Sequence, residues 1–469
     1  MRNTRRGLGE ASAQYRHRHA ESEARLAAQC HATVDFVLVV PAYGESANFL
    51  DGYCAAAREA GRVLVVVVLN GRIGAPAAVD TANTACMRAL RARFSLEARG
   101  PGGWFGHAPS DAHLSVLVVD RFSPGHQLPA RHGVGLARKL GADLALELIV
   151  AGRVRYPSIA MTDADASLPK DYFARVAGCD PEYAAAVFPF WHEPRGEPGI
   201  DRATALYELR LRYFQRGLTW ARSPYGFHTV GSTMVVDARS YALVRGVPAR
   251  RAGEDFYLLN KLSKIGPVRY LAGDPIRLRS RLSERVPFGT GSESAKLARG
   301  ATLQLYHADC FAAVGHLIQD LRDLATTADE PPGQGHRGAA DMLARMPPLV
   351  RGFLEGQGAL SAWSGIIAQT PDAAARLRRL HEWFDGFRTL KLIHHLREHG
   401  SPSLPWQEAV RRAPFMADVS IDDDGAHLHE TRSALLRQEQ EMEASRSRGL
   451  GLPGALPRGD GAVRGQGSP

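Results

Sequence analysis

Short, unbroken apolar runs alternate with longer segments of helical period through the first half of the chain. Residues 35–40 (Asp-Phe-Val-Leu-Val-Val) form the first run, and such continuity predicts a strand buried on both faces. The run breaks at Pro41-Ala42-Tyr43-Gly44-Glu45, and Ser46 is read as the N-cap of a helix reaching about Ala60. A second buried strand is predicted over 62–69, ending at Asn70-Gly71. A helix over 77–93 and a Gly/Pro-rich loop over 98–110 follow. The third strand is predicted over 114–119, closed by Asp120-Arg121. A helix over 133–150 leads to a fourth strand that runs from Tyr156 into Asp163-Ala164-Asp165. A fifth strand is read over 184–190, a long helix over 202–220, a Gly-broken loop feeding a strand over 226–236, and a helix opening at Glu254-Asp255.

Strands alternating with helices imply an α/β fold with a doubly wound, mostly parallel sheet. Ligands of such sheets bind outside the carboxyl ends of the strands, and the turns at 41–45, 70–71, 120–121 and 163–165 all fall there. From about Ser294 the pattern becomes helical, with a polar linker over 326–338. Leu377, Leu380, Trp383, Phe384, Phe387, Leu390 and Ile393 are read as one amphipathic helix. The predicted organisation is a polar, partly helical extension over 1–33 (one helix over 11–28), a sheet domain over 34–292, a helical region over 293–446 and a disordered tail over 447–469.

Composition changes this picture little. The net charge is +9 and almost all of it is arginine: six of the 58 basic residues are Lys. The arginines are spread along the chain and are not interleaved with aromatics, so no nucleic-acid partner is expected. Five scattered cysteines without a C-x-x-C pair read as reduced thiols. The longest apolar run, 63–69, is too short to span a bilayer, and residues 1–19 lack a signal peptide's apolar stretch, so a cytoplasmic protein is expected.

Three constellations carry candidate chemistry. Asp163 and Asp165, one residue apart on a strand end, point the same way and repel. They read either as a site for Mg²⁺ or Mn²⁺ on a nucleotide diphosphate or as a solvated helix-capping turn. Glu254 and Asp255 read either as a catalytic carboxylate pair or as first-turn acids favoured by the helix dipole. Arg277, Arg279, Arg281 and Arg285 alternate before a Gly/Thr loop, either as a diphosphate clamp or as a basic strand edge.

In order and spacing, these residues resemble a family-2 glycosyltransferase of the GT-A fold, over roughly residues 34–290. The likeness rests on the strand ending in Pro41-Ala42-Tyr43-Gly44-Glu45, the Asp163-Ala164-Asp165 element, the Gly231-Ser232-Thr233-Met234 segment and Gly253-Glu254-Asp255. The resemblance implies a nucleotide-diphospho-sugar donor, a hydroxyl acceptor and a divalent metal, Mn²⁺ or Mg²⁺. It assigns Pro41, Tyr43 and Glu45 to the base and ribose, with Asn70 where the family offers a base-reading Asp. Asp165 becomes the direct metal ligand and Asp163 lies nearer the ribose and sugar. Asp255 is implied as general base, with Glu254 contacting donor or acceptor, and Arg131 and His132 near the diphosphate, where Arg281 and Arg285 of the arginine-rich segment are also candidates. The family's metal-binding His after the Glu-Asp motif is absent, because no His occurs between His228 and His307. Either an arginine of the stretch holding Arg279, Arg281 and Arg285 replaces part of the metal's role, or His228 swings in. A Q-x-x-R-W motif is also absent, so a non-processive enzyme acting on a small or soluble acceptor is expected, with the helical region a possible site of self-association. The competing readings are a nucleotidyltransferase of similar sheet and a non-catalytic nucleotide- or nucleic-acid-binding protein. The first would carry a basic Gly-rich loop after the first strand, which 41–45 does not.

Overall fold

The structure, a computed structural model, describes residues 2–109, 111–180, 182–280, 290–326, 335–421 and 427–447. The chain divides into two compact units, one of Met1–Glu208 with Phe227–Ala301, the other of Leu209–Gly226 with Thr302–Pro469.

In the first unit the strands are β1 (Phe36–Ala42), β2 (Val63–Asn70), β3 (Glu97–Ala98), β4 (Gly103–Ala108), β5 (Asp111–Arg121), β6 (Ser158–Met161), β7 (Ala166–Ser167), β8 (Ala185–Val187), β9 (Phe190–Glu193), β10 (Met234–Asp237), β11 (Val268–Tyr270) and β12 (Ile276–Arg279). The helices are α1 (Arg2–Arg18), α2 (Phe49–Arg58), α3 (Ala77–Phe94), α4 (Val134–Val150), α5 (Tyr172–Ala177), α6 (Pro198–Trp220, which continues into the second unit), α7 (Ala238–Leu243), α8 (Glu254–Leu262) and α9 (Thr290–Ala298). Among the described residues nine strands form one sheet in the order β11-β8-β10-β6-β1-β2-β5-β4-β3. The inner four, β6, β1, β2 and β5, are parallel, with Phe36 opposite Val63 and Val63 opposite Leu114. β10 runs antiparallel to β6 and β8, and β4 antiparallel to β5. This is the expected doubly wound, mixed and mostly parallel α/β sheet. Every residue of β1 and β2 is buried, as strands covered on both faces must be.

A second, three-stranded sheet, β7-β12-β9, stands apart from the first. The fifth predicted strand is in fact two: the chain leaves the large sheet after Val187 and enters the small one at Phe190, with Pro189 between. Proline offers no N–H to a ladder, so it marks the change of sheet. The loop expected over 98–110 contains the β3–β4 hairpin. The helix expected from Ser46 begins at Phe49, after Asn48. The N-terminal segment is α1 followed by a 3-10 turn (Ser22–Gln29), not one helix over 11–28.

α4 lies close on β1 because Gly141 lets it: a Cβ there would stand 2.4 Å from Val39 Cγ1. On α1 and α4 a buried polar cluster ties the chain's start to the sheet. Asp143 accepts from Tyr15 (2.5 Å), Tyr241 (2.6 Å), Lys139 (2.6 Å) and the Glu21 amide (2.8 Å).

The second unit holds α10 (Ala308–Thr326), α11 (Gly335–Arg345), α12 (Pro348–Gly356), α13 (Ala359–Gln369), α14 (Ala373–Trp383), α15 (Gly386–His399), α16 (Trp406–Arg412) and α17 (Leu428–Ser447). The helix read through 377–393 is two, α14 and α15. Asp385 ends the run by accepting from the amides of Phe387 (3.1 Å) and Arg388 (3.0 Å) as an N-cap. Buried Arg212 and Glu439 pair at 2.6 Å within this unit. Among the described residues no helix is long and apolar enough to cross a membrane. Residues 327–334 of the expected linker and 448–469 of the expected tail lie outside the described residues.

Candidate active site

The carboxyl ends of the parallel strands gather the candidate residues. β1 delivers Pro41, buried, and the turn carrying partly buried Tyr43 and Glu45. β2 ends in Asn70, whose Nδ2 donates to the Ala42 carbonyl (3.0 Å) and the Val68 carbonyl (3.2 Å). Asn83 of α3 completes the frame: its Nδ2 donates to the Asn70 carbonyl (3.0 Å) and its Oδ1 accepts from the Gly44 amide (2.9 Å). The amide at this position has a local reason. A carboxylate has no proton to give, whereas the Asn70 amide holds the 42–44 turn in place. The side chain's remaining polar atom is its carbonyl oxygen.

β6 ends in Met161, and the next turn presents Asp163 and Asp165, each partly buried. Tyr53, on α2, donates to the Asp163 carbonyl at 2.9 Å. Burial first, then the Asp165 and Asp163 carboxylates, push the Tyr53 phenol far above its usual range. β7, immediately after, pairs with β12, Leu278 opposite Ala166, and the Arg279 amide donates to the Asp165 carbonyl at 3.2 Å. The small sheet therefore starts the arginine-rich segment beside Asp165. Arg281 and Arg285 lie outside the described residues. Arg277 pairs instead with Glu193 at 3.0 Å on the exposed side.

Sequence reasoning overlooked Arg138. Its side chain is 1% exposed, and its guanidinium donates to Asp163 Oδ1 at 2.5 Å and, through its other terminal nitrogen, to Glu254 Oε1. One buried cation thus joins the carboxylate after β6 to the carboxylate that opens α8. Gly231 makes room for it, since a Cβ there would come within 2.8 Å of the guanidinium. The available signal was the phase of Arg138, which falls on the stripe of small and apolar residues Val134, Gly141, Ala142 and Ala145, because an unpaired buried charge is untenable. Arg131 is exposed in the turn before α4, and His132 beside it is partly buried.

Gly253, at φ 72, occupies the left-handed region and directs the chain into α8. Glu254 turns inward to Arg138 and is buried, whereas Asp255 is partly exposed and accepts from the Phe256 amide at 2.8 Å. Desolvation raises the Asp255 carboxyl to about 7. The Glu254 charge adds to this and Arg138 opposes it. The loop that leads into α8 rests on α4: a Cβ on Gly135 would meet the carbonyls of Arg250 at 2.5 Å and Pro248 at 2.7 Å. That contact accounts for the Gly133-Val134-Gly135 pair, which serves helix–loop packing. His228 is buried with its ring edge-on to Phe190 at 5.0 Å, and buried His192 shares a contact with Glu208 at 3.0 Å.

Asp163 and Asp165 offer an all-oxygen donor set, which suits a hard dication. Among the described residues no group of three or more His, Cys, Asp or Glu is placed to hold a metal. The residues present fit a cation that takes its other ligands from a diphosphate and water, the usual manner for Mg²⁺.

No protein-family profile matches this chain, and no curated protein matches it. Among solved structures it is similar to S. aureus TarS 1-349, at 11% identity over 88% of this chain and 92% of that one, with a TM-score of 0.30. The same protein in complex with UDP-GlcNAc matches at 13% identity over 89% and 92%, again with a TM-score of 0.30. A likeness at that distance carries no argument, and the chemistry rests on this chain's own residues.

Proposed function

We propose that the protein is a non-processive glycosyltransferase that moves a sugar from a nucleotide-diphosphate donor to the hydroxyl of a small or soluble acceptor, with Mg²⁺ or Mn²⁺ as cofactor. The observation that carries the reading is the Asp163–Arg138–Glu254 chain, with Asp255, raised to about 7, beside it. Such a carboxyl is half ionised near neutrality and so takes a proton readily at working pH.

In this reading the acceptor oxygen attacks the anomeric carbon, its proton passes to Asp255, and the carbon–oxygen bond to the diphosphate breaks with its electron pair leaving on the diphosphate. Arg138 pairs with Asp163 and Glu254, and Asp255, outside that pairing, takes the substrate proton. Tyr43, Glu45 and the turn braced by Asn70 receive the nucleoside, and Arg131, Arg281 and Arg285 are assigned to the diphosphate. Asp165 is the direct metal ligand, with Asp163 nearer the ribose and sugar. When bound, the cation supplies positive charge that stabilises the leaving diphosphate.

Thermal melting of the full chain with Mn²⁺ or Mg²⁺ and a panel of nucleotide diphosphates tests this. A metal-dependent rise in melting temperature, lost in Asp165→Ala, is expected. The absence of any metal-dependent shift with UDP or GDP would sink the reading.

A further inference from the structure

The amino ends of the parallel strands carry a second concentration of chemistry, unrelated to the carboxylates at their other ends. Side chains alternate along a strand, so Arg62 follows the phase of Leu64 and Val66, His113 that of Ser115 and Leu117, and His107 that of Phe105. Register brings them side by side, with His107 opposite Ser115 and Ser115 opposite Leu64. Together with His31 and Arg99 they line a cavity of about 320 Å³. It contains two arginines and three histidines and no Asp or Glu. Val34 and Phe105, both buried, give it an apolar wall. β2 separates Arg62 from Asn70 by eight residues, about 26 Å at a strand's rise.

Two details point to an anion. The Arg99 Nε is buried and has no hydrogen-bond acceptor, although its terminal nitrogen pairs with exposed Glu97 at 2.7 Å. That nitrogen is therefore free to donate to a group bound in the cavity. Arg62, exposed at the cavity rim, has no ion-pair partner among the described residues. A fork-shaped guanidinium pair flanked by imidazole donors suits a dianionic group better than a single carboxylate. The apolar wall calls for an organic body on that group, and the volume is at the small end of ligand pockets.

The geometry points to a binding site for a small organic phosphate monoester at the amino edge of the sheet, held by Arg62 and Arg99 with its apolar part against Phe105 and Val34. Calorimetric titration of phenyl phosphate into the full-length chain tests it, with benzoate and inorganic phosphate in parallel. Saturable binding is expected, weaker for benzoate and for inorganic phosphate. The double variant Arg62→Ala/Arg99→Ala should lose roughly tenfold or more in affinity, as expected for charge-assisted hydrogen bonds, while Asp163→Asn leaves binding unchanged. Absence of saturable binding, retention of binding by the double variant, loss of it in Asp163→Asn, or equal affinity for inorganic phosphate or benzoate would each overturn the assignment.

Discussion

At the residue scale, the site is a problem of surplus negative charge. Asp163, Asp165, Glu254 and Asp255 are gathered at one edge, and Arg138 neutralises two of them. Replacing Arg138 by Met leaves Glu254 buried without its cation, a change that typically costs about 3–5 kcal/mol. It also removes the one charge that holds the Asp255 carboxyl down. Arg138→Met is therefore expected to melt earlier and, where folded, to show its pH–rate midpoint displaced to higher pH. An unchanged midpoint would separate Arg138 from the proton transfer. Asp255 gives a second test. Its folded carboxyl titrates near 7, above the usual Asp value of 3.8, so the folded chain holds a proton there that the unfolded chain has released. Stability from this group is complete below about 4 and is lost as pH rises through 7. Asp255→Asn should raise the melting temperature above pH 7 and have no effect near pH 4. The same variant should retain donor binding while transfer falls by roughly 10²–10⁴-fold. A variant that melts like the parent at pH 8 and transfers at its rate would rule out Asp255 as the base.

At the scale of elements, the decisive contact is between α4 and the loop that enters α8. The helix carries Arg138 and, one turn earlier, receives the carbonyls of Pro248 and Arg250 against Gly135. Gly135→Ala places a methyl carbon 2.5 Å from a backbone oxygen, so the loop must move. Because Glu254 and Asp255 begin the helix that this loop feeds, a sharp loss of transfer with unchanged far-ultraviolet dichroism is expected. Full activity would show that the loop's seat does not set the carboxylates. Boundaries of this kind were the least legible part of the sequence. The break at Asp385 was concealed by continuous apolar spacing across 377–393, and the passage from β8 to β9 by an apolar run that two different sheets share. Periodicity registers burial, and burial does not say which layer provides it.

For the molecule as a whole, the first unit is closed by its own beginning. α1 lies against α4 and α7 through Tyr15, Lys139, Asp143 and Tyr241, a buried network in which Asp143 is the acceptor for four donors. The segment over 1–33, expected as a polar extension, belongs in part to this core, with Leu8, Tyr15 and Leu26 buried. Asp143→Ala leaves the Lys139 ammonium buried without its closest carboxylate. A fall in stability of about 3–5 kcal/mol in denaturant titration is expected. A loss under about 1 kcal/mol would mean that the N-terminal helix is held by apolar packing alone.

The alternation of buried runs and helical stretches was sufficient, from sequence, for the α/β class, the parallel core and the edge on which Asp163, Asp165 and the 41–45 turn assemble. Those features follow from local rules: a strand buried on both faces must be apolar throughout, and a parallel sheet presents its loops at the carboxyl ends. What only the tertiary structure decided was how separate stretches complete one another. That Arg138 bridges Asp163, 25 residues after it, to Glu254, 116 residues after it, has no local signature, because a buried arginine reads the same whichever carboxylate meets it. That Asn70 braces the turn it was expected to accompany, and that Glu254 is buried against Arg138 while Asp255 is only partly buried, depend on the approach of α3, α4 and α8 to the strand ends. Charge and hydrogen-bond partners in a protein interior are set by three-dimensional proximity, and proximity is the one quantity that spacing along a chain does not contain.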